Sequence, residues 1–193
     1  MTRNLIDRLP LPPRQKQALR QARISEKMLA DAIVQREQMR MEAKAVLIDR
    51  IAEIQPQLLG TIVVLFRLGI PEARLELLVD LLLMLPLALD QGGITLPAAD
   101  EDLVEQCYER VTRRMTQETD SRVLPMERRR VSQNYIEQHP EQWLLSHVFN
   151  LIHPLTQSSE EDRVVTLLVT TALNYVEIVT ELLHPQWEQK QAH

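Results

Sequence analysis

A chain of 193 residues has the length for a substantial core, and this one carries a formal net charge of −5 with only four Gly, two Trp and two Phe. Sheets need turns that tolerate positive φ, and four glycines, two of them adjacent at Gly92 and Gly93, are too few. The composition therefore predicts an all-α fold, a helical bundle of about seven helices with a long N-terminal helix. The same scarcity excludes glycine-rich phosphate loops, and no serine sits in a nucleophile elbow. Nucleotide hydrolases, dinucleotide oxidoreductases and α/β-hydrolases are thereby set aside.

In chain order, residues 1–13 read as an extended lead-in, because Pro10, Pro12 and Pro13 bias the residues before them away from helix. Residues 14–184 read as the bundle domain, and 185–193 as a tail. A helix expected over 14–54 is basic and sparsely apolar in its first half, so that 14–44 reads as a protruding basic arm. From Ala45 it turns apolar, with Val46, Leu47, Ile48, Ile51 and Ile54. Pro56 opens the next helix, which ends near Gly69. Pro71 then starts a leucine-rich helix over 72–85, which Pro86 is expected to kink or end.

Residues 90–97 form the clearest loop. A helix over 98–116 follows, with acids in its first turn and arginines towards its last, as the helix dipole favours. Pro125 starts a thinly apolar helix. A short apolar helix spans 143–152, stopped before Pro154, and the last helix runs over 159–183. On it Thr166, Thr170, Asn174, Glu177 and Glu181 form one narrow polar stripe in otherwise apolar surroundings.

The first 40 residues are net basic and residues 41–109 net acidic, and the alternation repeats over 110–130 and 131–193. Such alternation is expected where basic segments meet acidic ones within the fold or oligomer, or where a basic face meets an external anion. Arginine far outnumbers lysine, a bias compatible with a GC-rich bacterial genome. Cys107 is the only cysteine and fits a reducing cytoplasm. It shares its helical phase with Leu103, Val104 and Val111 and reads as core. The N-terminus has no apolar signal segment, and neither half of residues 58–89 supplies the roughly 18 uninterrupted apolar residues of a membrane span. The expected localisation is cytoplasmic, with no membrane partner.

Four candidate features remain. Asp80 sits alone among the leucines of residues 75–89 but continues the row Glu72, Glu76, Asp80, so it reads as the last solvated rung; were it buried, Arg67 is its expected partner. Leu78, Leu81, Leu82 and Leu85 make their helix apolar on every side. With a second such helix at the C-terminus, that predicts self-association, a homodimer burying one of the two. Lys16, Arg20, Arg23 and Lys27 share one face of the expected N-terminal helix, and with Arg128, Arg129 and Arg130 they are the candidate anion or nucleic-acid contacts. Glu181 and His184 form one Glu-x-x-His pair, short of a metal site, and His147 and His153 do not converge.

No catalytic motif and no cofactor site emerge. The expected function is a non-enzymatic interaction or regulatory protein, self-associating and binding a partner protein through an apolar helix groove. The first alternative is a nucleic-acid-binding regulator using the basic residues, and the second a ligand or metal site within the bundle.

Overall fold

Ser25 caps the helix Glu26–Gln38 in a computed structural model that describes residues 16, 22–119, 135–156 and 163–185. Its Oγ accepts the Met28 N–H at 3.3 Å, while Met28 Sδ accepts the Ser25 N–H at 3.4 Å, so a methionine completes a reciprocal cap usually closed by a carboxylate. Helix α1 (Glu26–Gln38) is followed by α2 (Met41–Ile54), α3 (Pro56–Arg67), α4 (Glu72–Gln91), α5 (Glu101–Thr119), α6 (Gln142–Thr156) and α7 (Arg163–Leu183). Residues 135–138 are also helical. The protein is all-α, and no strand occurs among the described residues.

The continuous helix expected over 14–54 is interrupted twice. Residues 22–25 are non-helical, and Met39 and Arg40 are extended, at φ −69°, ψ 133° and φ −71°, ψ 159°. Neither break carries Gly or Pro; tertiary packing overrides local propensity here. Met28 lies against Gly92 and Arg36 reaches Asp80, so α1 runs back along α4. Arg50 instead pairs with Asp90 at the far end of α4, so α2 runs with it. The chain must reverse between them, and the two extended residues do it. Leu29 and Ala32 are buried, so residues 26–38 are part of the packed bundle and not a protruding arm.

Helices α3 and α4 both stop at glycine. Gly69 at φ +85° lets Ile70 N–H reach the Leu65 carbonyl at 3.2 Å, and Gly93 at φ +60° lets Ile94 N–H reach Leu89 at 2.9 Å. These are the αL turns that capture the last carbonyls of a helix, and any side chain at φ > 0 would strain them.

Pro86 does not end α4, which continues to Gln91. An interior proline costs about 3 kcal/mol. Beyond it Leu87, Ala88 and Leu89 are all buried, and each fully buried leucine returns roughly 1.5–3 kcal/mol. Packing outweighs the lost hydrogen bond. Pro154 likewise lies inside α6, which runs past the expected stop.

Two helices form the centre. α4 is buried on all sides over residues 81–85 and touches α1, α2, α3 and α7; α7 is buried throughout 168–180 and touches α4, α5 and α6. The two all-round apolar helices thus pack against each other within one chain. Leu78, Leu81, Leu82 and Leu85, at no more than 3% exposed, are core residues and not a self-association surface. Neither helix needs a second copy of the chain to bury it.

Candidate functional site: an acid-rimmed apolar groove

Helix α3 is apolar nearly throughout, yet buries only Leu58, Ile62 and Leu65. Three contacts per three turns is one face, and Val63, Val64 and Phe66 are left on the others. α2 is similar, with only Leu47 and Ile51 buried and Met41 and Val46 facing outward. Where these two helices diverge over the start of α4 they leave an open groove of about 680 Å³. Its floor is Ile48, Ile62, Leu75, Val79 and Leu83, and its lips are Met41, Val63 and Phe66. Met41 is 76% and Phe66 53% exposed, and large apolar side chains clustered at a concave surface mark an interaction site.

One edge of this groove is the row foreseen from the sequence. Glu72, Glu76 and Asp80 line it along α4, with Lys44 on the opposite side. Asp80 is 42% exposed at its side chain and pairs with Arg36 at 3.1 Å, so it is a solvated rung with a partner, but that partner lies on α1 and is not Arg67. Glu72 and Glu76 have no ion-pair partner among the described residues. The groove is therefore apolar at its base and negative along one lip.

The second concentration of chemistry is internal. The polar stripe of α7 faces α5: Arg114 meets Glu177 at 2.9 Å, Arg110 lies 3.7 Å from Glu181, and Thr170 Oγ1 donates to Met115 Sδ at 3.3 Å. The Arg114 guanidinium also stacks 3.5 Å from the Tyr135 ring centroid, and Tyr135 donates its hydroxyl to Glu177. Burial works to raise the Glu177 carboxyl, but Arg114, His139 and the two hydrogen bonds prevail and hold it below the usual carboxylate range. Burial pushes the Cys107 thiol up to about 12 and the His139 imidazole down to about 4. At neutral pH the first is a weak nucleophile and the second an uncharged ring.

Glu141 anchors the chain where α1 begins. Fully buried, it accepts Arg23 N–H at 2.9 Å, Ile24 N–H at 3.1 Å and His184 Nε2 at 2.7 Å. Glu181 and His184 therefore turn to different partners, Arg110 and Glu141, and do not converge as a ligand pair. Among the described residues no three His, Cys, Asp or Glu side chains gather as a metal site. One described helix, Arg163–Leu183, is long and apolar enough to cross a membrane, and most of it is buried within this chain.

The candidate basic face does not assemble as expected. Lys16 is helical, but the non-helical residues 22–25 separate it from Lys27, so the four-residue row cannot share one helix surface. Arg23 stays exposed but donates to the Leu183 carbonyl at 3.3 Å, capping α7. Lys27 pairs with Asp31. Arg20, Arg128, Arg129 and Arg130 lie outside the described residues. The sequence pointed to an apolar helix groove without placing it, because exposure of Met41, Val63 and Phe66 depends on where α2 and α3 diverge; the surplus of apolar residues on α3 was the one signal of its position. No protein-family model, no curated protein and no solved structure matches this chain.

Proposed function

We propose that this chain is a non-enzymatic interaction protein whose groove between α2, α3 and α4 holds an amphipathic helix of a partner protein, with basic residues flanking the partner's apolar stripe. The observation that carries this reading is the meeting of an exposed apolar trough with Glu72 and Glu76 on its lip, which have no ion-pair partner among the described residues. Helix-in-groove recognition takes its affinity from apolar anchors at helical spacing, and charge along the lip selects orientation and partner. Its size suits several large side chains of one helix face.

The test uses two synthetic helical peptides with the same leucine stripe, one flanked by lysines and one by glutamates, titrated into the full chain. The lysine peptide is expected to bind at least about tenfold more tightly, with the preference shrinking as salt rises. Phe66→Glu is expected to abolish binding of both. Equal affinities, or binding untouched by Phe66→Glu, overturn the proposal. A second copy of the chain is the competing occupant; a mass by light scattering that doubles with concentration and halves in Phe66→Glu assigns the groove to a homodimer instead.

A further inference from the structure

A second cavity lies at the other end of α2, separate from the groove. It is half-enclosed, about 180 Å³ in volume, and lined by Leu58 of α3, Leu82, Leu85 and Leu89 of α4, and Ile94 and Leu96 of the loop after α4. A dry apolar cavity of roughly 150 Å³ already accommodates benzene. The loop wall is held in place by Gln55, buried to 6% exposure, whose Nε2 donates to the Pro97 carbonyl at 2.6 Å and whose Oε1 accepts the Ala99 N–H at 3.0 Å. The space is therefore bounded by fixed walls.

Two features give this cavity a chemical preference. Pro86 is one of its lining residues, and Leu82, four positions earlier, is another. A proline has no N–H to return to the carbonyl one turn back, so Pro86 supplies no hydrogen bond to the Leu82 carbonyl. At the mouth, Arg50 and Asp90 hold each other through two hydrogen bonds of 2.7 and 3.1 Å. They offer no uncompensated charge, so an ionised ligand would have to break that pair.

We propose that this cavity is a binding site for a small, neutral, mostly apolar molecule carrying one hydrogen-bond donor, of the phenol or short-chain alcohol class, with the donor directed to the Leu82 carbonyl. The apolar body replaces the contacts that an empty space forfeits, and the donor gives the Leu82 carbonyl the hydrogen bond that Pro86 cannot.

Titration calorimetry on the full chain with phenol, toluene and benzoate tests the assignment, since phenol and toluene have nearly the same shape and differ in the donor. Phenol and toluene are expected to bind and benzoate not to. Pro86→Ala restores an N–H for the Leu82 carbonyl and is expected to weaken phenol at least about fivefold more than toluene, one net hydrogen bond, since the ring contacts it removes from the wall bear on both alike. Ile54→Trp, at a half-exposed lining position, is expected to block both. Absence of binding by phenol, equal effects of Pro86→Ala on phenol and toluene, or benzoate binding more tightly than phenol each overturns the proposal.

Discussion

Arg114 on α5 meets Glu177 on α7 at 2.9 Å, and one turn away Arg110 lies 3.7 Å from Glu181, so arginines and glutamates, each spaced by four, form an antiparallel ladder inside the bundle. At least part of the alternation between basic and acidic segments is thus consumed within the fold. Glu177 is only 3% exposed at its side chain, which makes the pair one whose breakage is costly. Arg114→Leu leaves that carboxylate without its cation and is expected to cost about 3–5 kcal/mol in urea unfolding. Arg114→Leu combined with Glu177→Leu is expected to cost less than the single change, because no buried charge then lacks a partner. A double variant as unstable as the sum of two singles would contradict that account.

Stability should fall in mild acid, with His139 as a main contributor. The folded imidazole is pushed down to about 4 by burial, whereas an unfolded histidine titrates near 6.5. Between those values the unfolded chain binds a proton that the folded chain refuses, so stability decreases as pH drops from about 6.5 to about 4 and levels off below, where both are protonated. The gap amounts to roughly 3 kcal/mol. Glu177 acts in the same direction at lower pH: its carboxyl is held below its usual range, and the stability it contributes is lost as pH falls through that lowered value. Urea unfolding at pH 7, 5.5 and 4.5 should show a steeper decline for the native sequence than for His139→Gln.

The Asp80–Arg36 pair is of the opposite kind. With Asp80 42% exposed at its side chain, water competes for the carboxylate and screens the contact, so Asp80→Asn is expected to cost under about 1 kcal/mol in urea unfolding. A larger loss would mean that Arg36, only 15% exposed, depends on this partner for its own burial.

Glycine scarcity carried the all-α class, and apolar spacing carried the all-round apolar character of α4 and the polar stripe of α7, but not the packing of these two helices on each other within one chain. The stripe's burial followed from the apolar residues around it, but its partners did not, since nothing local says that Arg110 and Arg114 face it. The chain reversal at Met39 and Arg40 was illegible for a related reason: neither residue breaks a helix, and only packing against α4 forces the turn. The cap at Ser25 went unread within the continuous helix expected over 14–54, because a methionine at the third helical position lacks the carboxylate of the usual capping pattern. Pro86 misled in the other direction, because the local penalty of a proline was visible and the burial of Leu87 and Leu89 beyond it was not.

Core and groove should separate cleanly in their responses to the same kind of truncation. Leu81 is 1% exposed at the centre of α4, where loss of a side chain removes transfer energy and leaves a cavity in a helix packed on all sides. Leu81→Ala is expected to cost about 2–5 kcal/mol. Phe66 is 53% exposed on the groove's lip, so Phe66→Ala deletes few internal contacts and is expected to change stability by under about 1 kcal/mol. A phenylalanine that adds so little to stability yet leaves its ring in water fits a residue kept for contact with another molecule. Urea midpoints for the two variants, read beside binding of the lysine-flanked peptide, decide the matter. If Phe66→Ala proves as destabilising as Leu81→Ala, the ring is part of the core and the groove loses its principal anchor; if it leaves stability intact and weakens the peptide, the lip is a recognition surface.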